Sequence, residues 1–157
     1  LLIERADSAP RDELTELTGI RTGHTTAGRD VTLGRLLPDF HRPDQEEAPA
    51  AGPVAADLNG GLRSINEPQI IDAKLTAARV LLDTLPADGG DVELTPAQAD
   101  EWLTALNDVR LALGAMLGIT DEPHAPCADD PYAGHYDVYQ WLTVVQELLV
   151  EALTGAY

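Results

Sequence analysis

The fold of this protein is decided by the stretch TPAQADEWLTALNDVRLALGAMLG, which spans residues 95–118. Thr95 and Gln98 have the spacing of a capping box, and a proline at the first helical position follows the cap. Apolar side chains then recur at helical spacing on one face: Trp102, Leu106, Val109, Leu113 and Met116. Gly118 suits the C-terminal cap. The stretch therefore predicts one long amphipathic helix.

Two further long helices are predicted on either side of it. One begins at Pro68, because proline favours the first helical position, and it is preceded by a weaker helix that Gly60-Gly61 interrupts. The other runs from about His135 to Thr154, and Gly155 closes it. Its apolar side chains form a stripe that we expect to pack in the core, with Leu142 and Leu149 beside it: Val138, Trp141, Val145, Leu148 and Ala152.

The shorter elements complete a prediction for the whole chain. Asp30 can cap a short helix that Pro38 ends. Residues 38–56 are rich in proline and acidic side chains and predict a flexible linker. Val92 and Leu94 could form one short extended segment. We therefore predict a mostly α fold, a single-domain helical bundle over residues 1–157.

The composition of the chain excludes several classes of function. The 157 residues include 10 basic and 27 acidic side chains, a net charge of −17. Because DNA binding depends on phosphate neutralisation by Lys and Arg, this chain should repel nucleic acid and anionic membranes. DNA contact would need a basic partner or a missing N-terminal segment, which we expect because the chain opens on Leu1. The acidity serves either solubility alone or a surface for a basic partner.

The single cysteine excludes a disulfide within the chain and fits a reducing compartment, the cytoplasm. No apolar run approaches the length of a membrane span. His124, Cys127 and His135 are metal-ligating or nucleophilic residue types, but their spacing matches no standard zinc pair and no third orienting group accompanies a Cys–His pair. We therefore expect no metal, no cofactor and no catalytic residue, and an enzyme that uses this loop is the least favoured alternative.

Three residues are candidates for partner binding. Arg110 lies in an apolar run, where we expect a structural ion pair with Asp108 or Asp137. Tyr132 and Tyr136 lie near the start of the last helix, where packing in the core is the default use of an aromatic side chain. Tyr and Arg are also enriched at interface hot spots, so Tyr132, Tyr136 and Arg110 are the predicted partner-binding residues.

Four blocks resemble a known family: LLPDFHRP at 36–43, NEPQIIDAK at 66–74, NDVRLALG at 107–114 and DVYQWL at 137–142. The family is actinobacterial and long catalogued as a conserved domain of unknown function, and one member is described as an atypical oxidative-stress regulator. The resemblance implies a cytoplasmic, cysteine-based redox sensor that controls transcription through RNA polymerase or a sigma factor.

By the same resemblance Cys127 is the predicted redox residue. A disulfide needs a second thiol. Either that thiol lies in a missing N-terminal part, or Cys127 pairs between chains, as in a homodimer, or this member does not sense through a disulfide. The alternative function is a constitutive acidic adaptor, a protein-interaction module without redox sensing.

Overall fold

The computed structural model describes residues 1–10, 13–42, 48–119 and 131–155. Within these ranges the chain forms helices and turns and no strand, which confirms the mostly α prediction. The helices are α1 (Leu2–Asp7), α2 (Glu13–Thr18), α3 (Val31–Leu36), α4 (Ala48–Thr84), α5 (Pro96–Met116) and α6 (Ala133–Thr154).

The chain divides into two compact units, residues 1–73 and 74–157, and the boundary falls inside α4. Residues 48–56, the second part of the predicted linker 38–56, are helical and belong to α4. Residues 43–47 of the predicted linker lie outside the described residues.

The predicted break at Gly60-Gly61 and the predicted start at Pro68 are both wrong, since α4 runs through all three residues. An internal proline lacks the N–H that would bond the carbonyl four residues earlier. In this protein the backbone N–H of Gly23 donates instead to that carbonyl, on Ser64, over 2.7 Å. A neighbouring segment thus supplies the hydrogen bond that the helix cannot make for itself.

The caps predicted at the start of α3, at both ends of α5 and at the end of α6 are confirmed. The Thr95 hydroxyl accepts from the N–H of Gln98, and the Gln98 side chain accepts from the N–H of Thr95. The Asp30 carboxylate accepts from the N–H of Leu33 over 2.9 Å. Gly118 and Gly155 close α5 and α6 with φ of 63° and 66°, a conformation that glycine adopts without a Cβ clash.

The core of the second unit lies between α5 and α6 and includes the end of α4. Trp102, Leu106 and Leu142 are buried, and partly buried apolar residues pack on them: Val80, Leu81, Leu94, Leu113, Val145 and Leu149. The indole N–H of Trp102 donates to the Thr84 hydroxyl over 2.7 Å, which joins α5 to α4.

The expected core stripe of α6 is largely wrong. Val138, Trp141 and Leu148 are exposed, whereas Leu142, which was expected beside the stripe, is buried. An apolar band wider than the contact with α5 leaves one edge in solvent, and periodicity cannot tell which edge that is.

Candidate functional site

The first unit buries an unusual face of α4. Residues four apart along it are all buried: Ala55, Asn59, Arg63, Glu67 and Ile71. Because side chains at i and i+4 lie above one another on a helix, they form one continuous row, which we call the α4 ladder. Three of its five members are polar or charged, so the charges have to be paired inside the protein.

Glu67 lies at the centre of the ladder and is only 2% exposed. Arg5 of α1 donates to both of its carboxylate oxygens, from Nε to Oε1 over 2.7 Å and from Nη2 to Oε2 over 3.1 Å. His24 places Nδ1 3.1 Å from Oε1, and Arg63 donates from Nη1 to Oε2 over 3.4 Å. The bidentate contact with Arg5 is the strongest geometry available to a carboxylate.

The electrostatics of this group keep it ionised. Burial works to raise the pKa of the Glu67 carboxyl, but the hydrogen bonds and charge of Arg5, with the bonds from His24 and Arg63, outweigh it and hold the pKa below its usual range. Both oxygens are occupied as acceptors. Glu67 therefore acts as an ionic anchor for the surrounding segments, since a general base needs a free oxygen directed at a substrate.

The other ladder residues hold the chain that follows α3. Arg63 donates from Nη1 to the carbonyl of Leu37 over 3.1 Å and from Nη2 to Oδ1 of Asp39 over 2.7 Å. Asn59 bonds both backbone groups of His41, each over 2.8 Å. The ladder thus fixes α1, the His24 loop and residues 37–41 against one face of α4.

A cavity of about 340 Å³ opens beside the ladder in the same unit. Its apolar wall includes Pro68 and Ile71, and Arg5 of α1 and Glu67 of the ladder also line it. Arg21, also on its wall, pairs with Asp72. The cavity is within the size range of small-molecule sites. Both arginines that the described residues place on its wall are already paired with carboxylates, so neither of the two is free to bind an anionic ligand.

Comparison with known proteins identifies the family. The model of a domain of unknown function, DUF2017, matches residues 1–153. The chain belongs to the DUF2017 family. Two of its relatives, from Mycobacterium tuberculosis and Mycobacterium bovis, are each named oxidative stress regulator AosR. Each is 52% identical over 159 aligned residues, which cover 99% of this chain and 73% of the relative. No solved structure matches the chain.

In this DUF2017 chain, Arg110 does not form the expected ion pair. Within the described residues its Nη1 donates to the Thr143 hydroxyl over 3.5 Å, and its guanidinium lies 5.9 Å from the centre of the Tyr139 ring. Asp108 instead pairs with Lys74 over 2.5 Å. The expected pairing is therefore wrong: Asp108 is bound by Lys74, and the Arg110 guanidinium lies against Tyr139 of the next helix.

The predicted tyrosines have different surroundings. The Tyr136 hydroxyl donates to the carbonyl of Leu117 over 3.3 Å, which ties the start of α6 to the end of α5. Tyr132 is half exposed and meets His135 edge-on, with ring centres 5.7 Å apart. Tyr136 and Arg110 thus join α5 to α6, and a partner-binding role for these three residues stays a prediction.

Cys127 and His124 lie outside the described residues. Among the residues that the structure does describe, no group of three His, Cys, Asp or Glu side chains is placed to hold a metal ion. Over the same ranges none of the helices has the length and apolarity needed to cross a membrane.

Sequence reasoning missed the α4 ladder and its Glu67 contacts. The signal that could have found it is the pair Arg63 and Glu67, opposite charges four residues apart on a face that also carries Ile71. A search for apolar periodicity passes over such a face, because its buried residues are mostly polar.

Proposed function

We propose that this DUF2017 chain is a redox-responsive regulator of transcription in the oxidative-stress response. It acts in the cytoplasm through contact with RNA polymerase or a sigma factor. The observation that carries the proposal is the 52% identity, over 99% of the chain, to relatives named oxidative stress regulator. Their names describe a regulator, and the proposed role is accordingly regulatory and not catalytic.

Charge supports contact with proteins over contact with DNA. With 27 acidic and 10 basic residues, the chain cannot neutralise DNA phosphates by itself. An acidic surface does speed association with a basic protein and helps to select it over acidic ones. These residues therefore reach a promoter through a protein partner or through a basic segment that precedes them in the full-length protein.

Cys127 is the proposed redox residue. Peroxide oxidises its thiol together with a second thiol: an S–S bond forms between them, and the two electrons and two protons pass to hydrogen peroxide, which leaves as two water molecules. The second thiol lies outside these 157 residues, which include one cysteine. A further segment of the full-length protein, another copy of the chain or the transcription partner can provide it.

The test is capture of partners by the full-length protein from cell extract, with and without peroxide, read by mass spectrometry and non-reducing gels. We expect RNA polymerase or a sigma factor, with a recovery that changes on oxidation, and a gel band that Cys127→Ser removes. Unchanged oxidation behaviour in that variant contradicts sensing by Cys127. Absence of any transcription protein contradicts the proposed function as a whole.

A second candidate is a constitutive acidic adaptor, and the net charge of −17 favours it independently of any thiol. It predicts the same transcription partners whether or not peroxide is present. Its binding should weaken as salt rises, since screening reduces attraction between surface charges. Binding that is indifferent to salt argues against the adaptor.

A further inference from the structure

Helix α6 leaves an apolar strip in solvent. Trp141, Val144 and Leu148 are 61%, 52% and 51% exposed, and their spacing of three and four residues places them on one face. We call these three residues the α6 strip. Leu142 and Leu149 pack in the core on another face, so the strip is not needed to hold α6 in place. Contiguous exposed apolar side chains of this kind mark interaction sites.

Acidic residues line the strip along its length. Asp137 lies four residues before Trp141, Glu147 lies three after Val144, and Glu151 lies three after Leu148. Side chains three or four residues apart on a helix are neighbours, so each strip residue has a carboxylate beside it. α6 contains no lysine or arginine.

This combination decides which occupant fits. A second copy would bring a chain of net charge −17 against another and would place carboxylates opposite carboxylates. An anionic membrane would be repelled for the same reason. A helix with an apolar face bordered by Lys or Arg would cover the strip and pair with the carboxylates.

We propose that the α6 strip docks an amphipathic helix of a partner protein, with Lys or Arg flanking the apolar face of that helix. Amphipathic helices are recognised through apolar anchors at i, i+3 and i+7, and the strip has this spacing. Trp141 is the central anchor, because tryptophan is enriched among the residues that dominate interface energy. The inference rests on the proposed function, because it describes how a regulator with this acidic charge would bind its protein partner.

The test uses the full chain and three synthetic 20-residue helical peptides. They share one leucine face and contain no tryptophan, and their flanking positions carry Arg and Lys, Gln, or Glu. Binding is measured by fluorescence anisotropy of the labelled peptide and by acrylamide quenching of protein tryptophan. Trp102 is only 8% exposed, so the quenchable tryptophan is Trp141 and its protection reports docking at the strip.

We expect the basic peptide to bind most tightly and the acidic peptide least. Trp141→Ser and Leu148→Ser should each weaken binding at least about tenfold, as removal of an interface anchor does. The control is Val109→Ser, which removes a similarly exposed apolar side chain from α5, at 48% exposure, and should bind like wild type. Asp137→Lys combined with Glu147→Lys should reverse the preference toward the acidic peptide.

Several results would overturn the proposal. They are failure of the basic peptide to bind, equal binding of all three peptides, and strip variants that bind like wild type. Self-association in sedimentation that Trp141→Ser abolishes would assign the strip to a second copy. Tryptophan protection by anionic phosphatidylglycerol vesicles would assign it to a membrane.

The same variants separate this inference from the proposed function. If Trp141→Ser still captures RNA polymerase or a sigma factor as well as wild type does, the strip is not the docking surface and the regulatory function stands. If the strip binds the basic peptide but the full-length protein captures no transcription protein, the docking surface stands and the proposed function fails.

Discussion

The backbone N–H of Gly23 donates over 2.7 Å to the carbonyl oxygen of Ser64, the oxygen that Pro68 leaves without a donor inside α4. Gly23 is buried against the helix, and a Cβ on it would lie 2.9 Å from the Cβ of Glu67 and 3.2 Å from the carbonyl oxygen of Arg63. The close approach therefore requires glycine, and the hydrogen bond lets the helix continue through a proline.

Gly23→Ala should lower the free energy of unfolding by about 1–3 kcal/mol, the usual effect of overpacking a tight contact. The added methyl group forces the loop away from Ser64, whose carbonyl then loses its donor. The measurement is urea denaturation followed by circular dichroism. The control is Gly61→Ala in the same helix, where a Cβ meets nothing within 4 Å. Gly61→Ala should raise the free energy of unfolding by about 0.5–1 kcal/mol. Equal effects of the two variants would contradict the packing described for Gly23.

Glu67→Gln should destabilise the protein by about 3–5 kcal/mol, because removing one partner of a buried ion pair leaves charge uncompensated. Here the charges left behind are Arg5 and Arg63, both of which donate to Glu67. Thermal and urea unfolding give the change. Asp57→Asn removes an exposed carboxylate of the same unit and should change stability by less than about 0.5 kcal/mol. If Glu67→Gln proves as mild as this control, the α4 ladder does not hold the first unit together.

Stability should fall in acid because of Glu67. Its pKa in the folded protein lies below the ordinary value of about 4.3 that the unfolded chain has. The unfolded state therefore takes up the proton first, so the contribution of Glu67 is present above the unfolded pKa and is lost as pH falls through the folded pKa.

The measurement for this pH dependence is the urea midpoint between pH 7 and pH 2.5 for wild type and for Glu67→Gln. The other carboxylates contribute equally to both proteins, so the difference between the two curves reports Glu67. We expect the difference to be constant near neutral pH and to shrink below about pH 4.3. A difference that grows in acid would contradict the lowered pKa.

Thr84→Val should cost about 1–3 kcal/mol, because it leaves the Trp102 indole N–H without its acceptor in a buried core. Valine has nearly the same shape as threonine, so the change removes the hydroxyl and little else. Thr104→Val in α5 is the matched control, since that hydroxyl donates to the Asp100 carbonyl on an exposed face. Similar small effects of both substitutions would show that the Trp102 hydrogen bond contributes little.

Local sequence predicted the helices whose ends are set by nearby residues. The caps Thr95 and Asp30, and the closing glycines Gly118 and Gly155, act through hydrogen bonds or φ angles within a few residues, so their effect can be read without the fold. The family resemblance, carried by four short blocks, was confirmed by the DUF2017 match.

Periodicity failed where burial was polar or where an apolar band was too wide. Asn59, Arg63 and Glu67 are buried on α4 only because partners distant in sequence, such as Arg5 and His41, reach them. On α6 the apolar pattern covers more of the helix than α5 can contact, and the choice of Leu142 over Trp141 for the core depends on where α5 lies.

By itself the sequence determined the helical class, the acidic charge and the positions of the capped helix ends, because composition and short-range hydrogen bonds depend on neighbouring residues alone. The tertiary structure decided that α4 passes through Pro68, that Glu67 is an ion-paired anchor and that Trp141 faces solvent. Each of these depends on a contact between residues far apart in the chain, such as the N–H that Gly23 supplies to Ser64. Such contacts form only when the chain folds, and no contact between neighbouring residues can replace them.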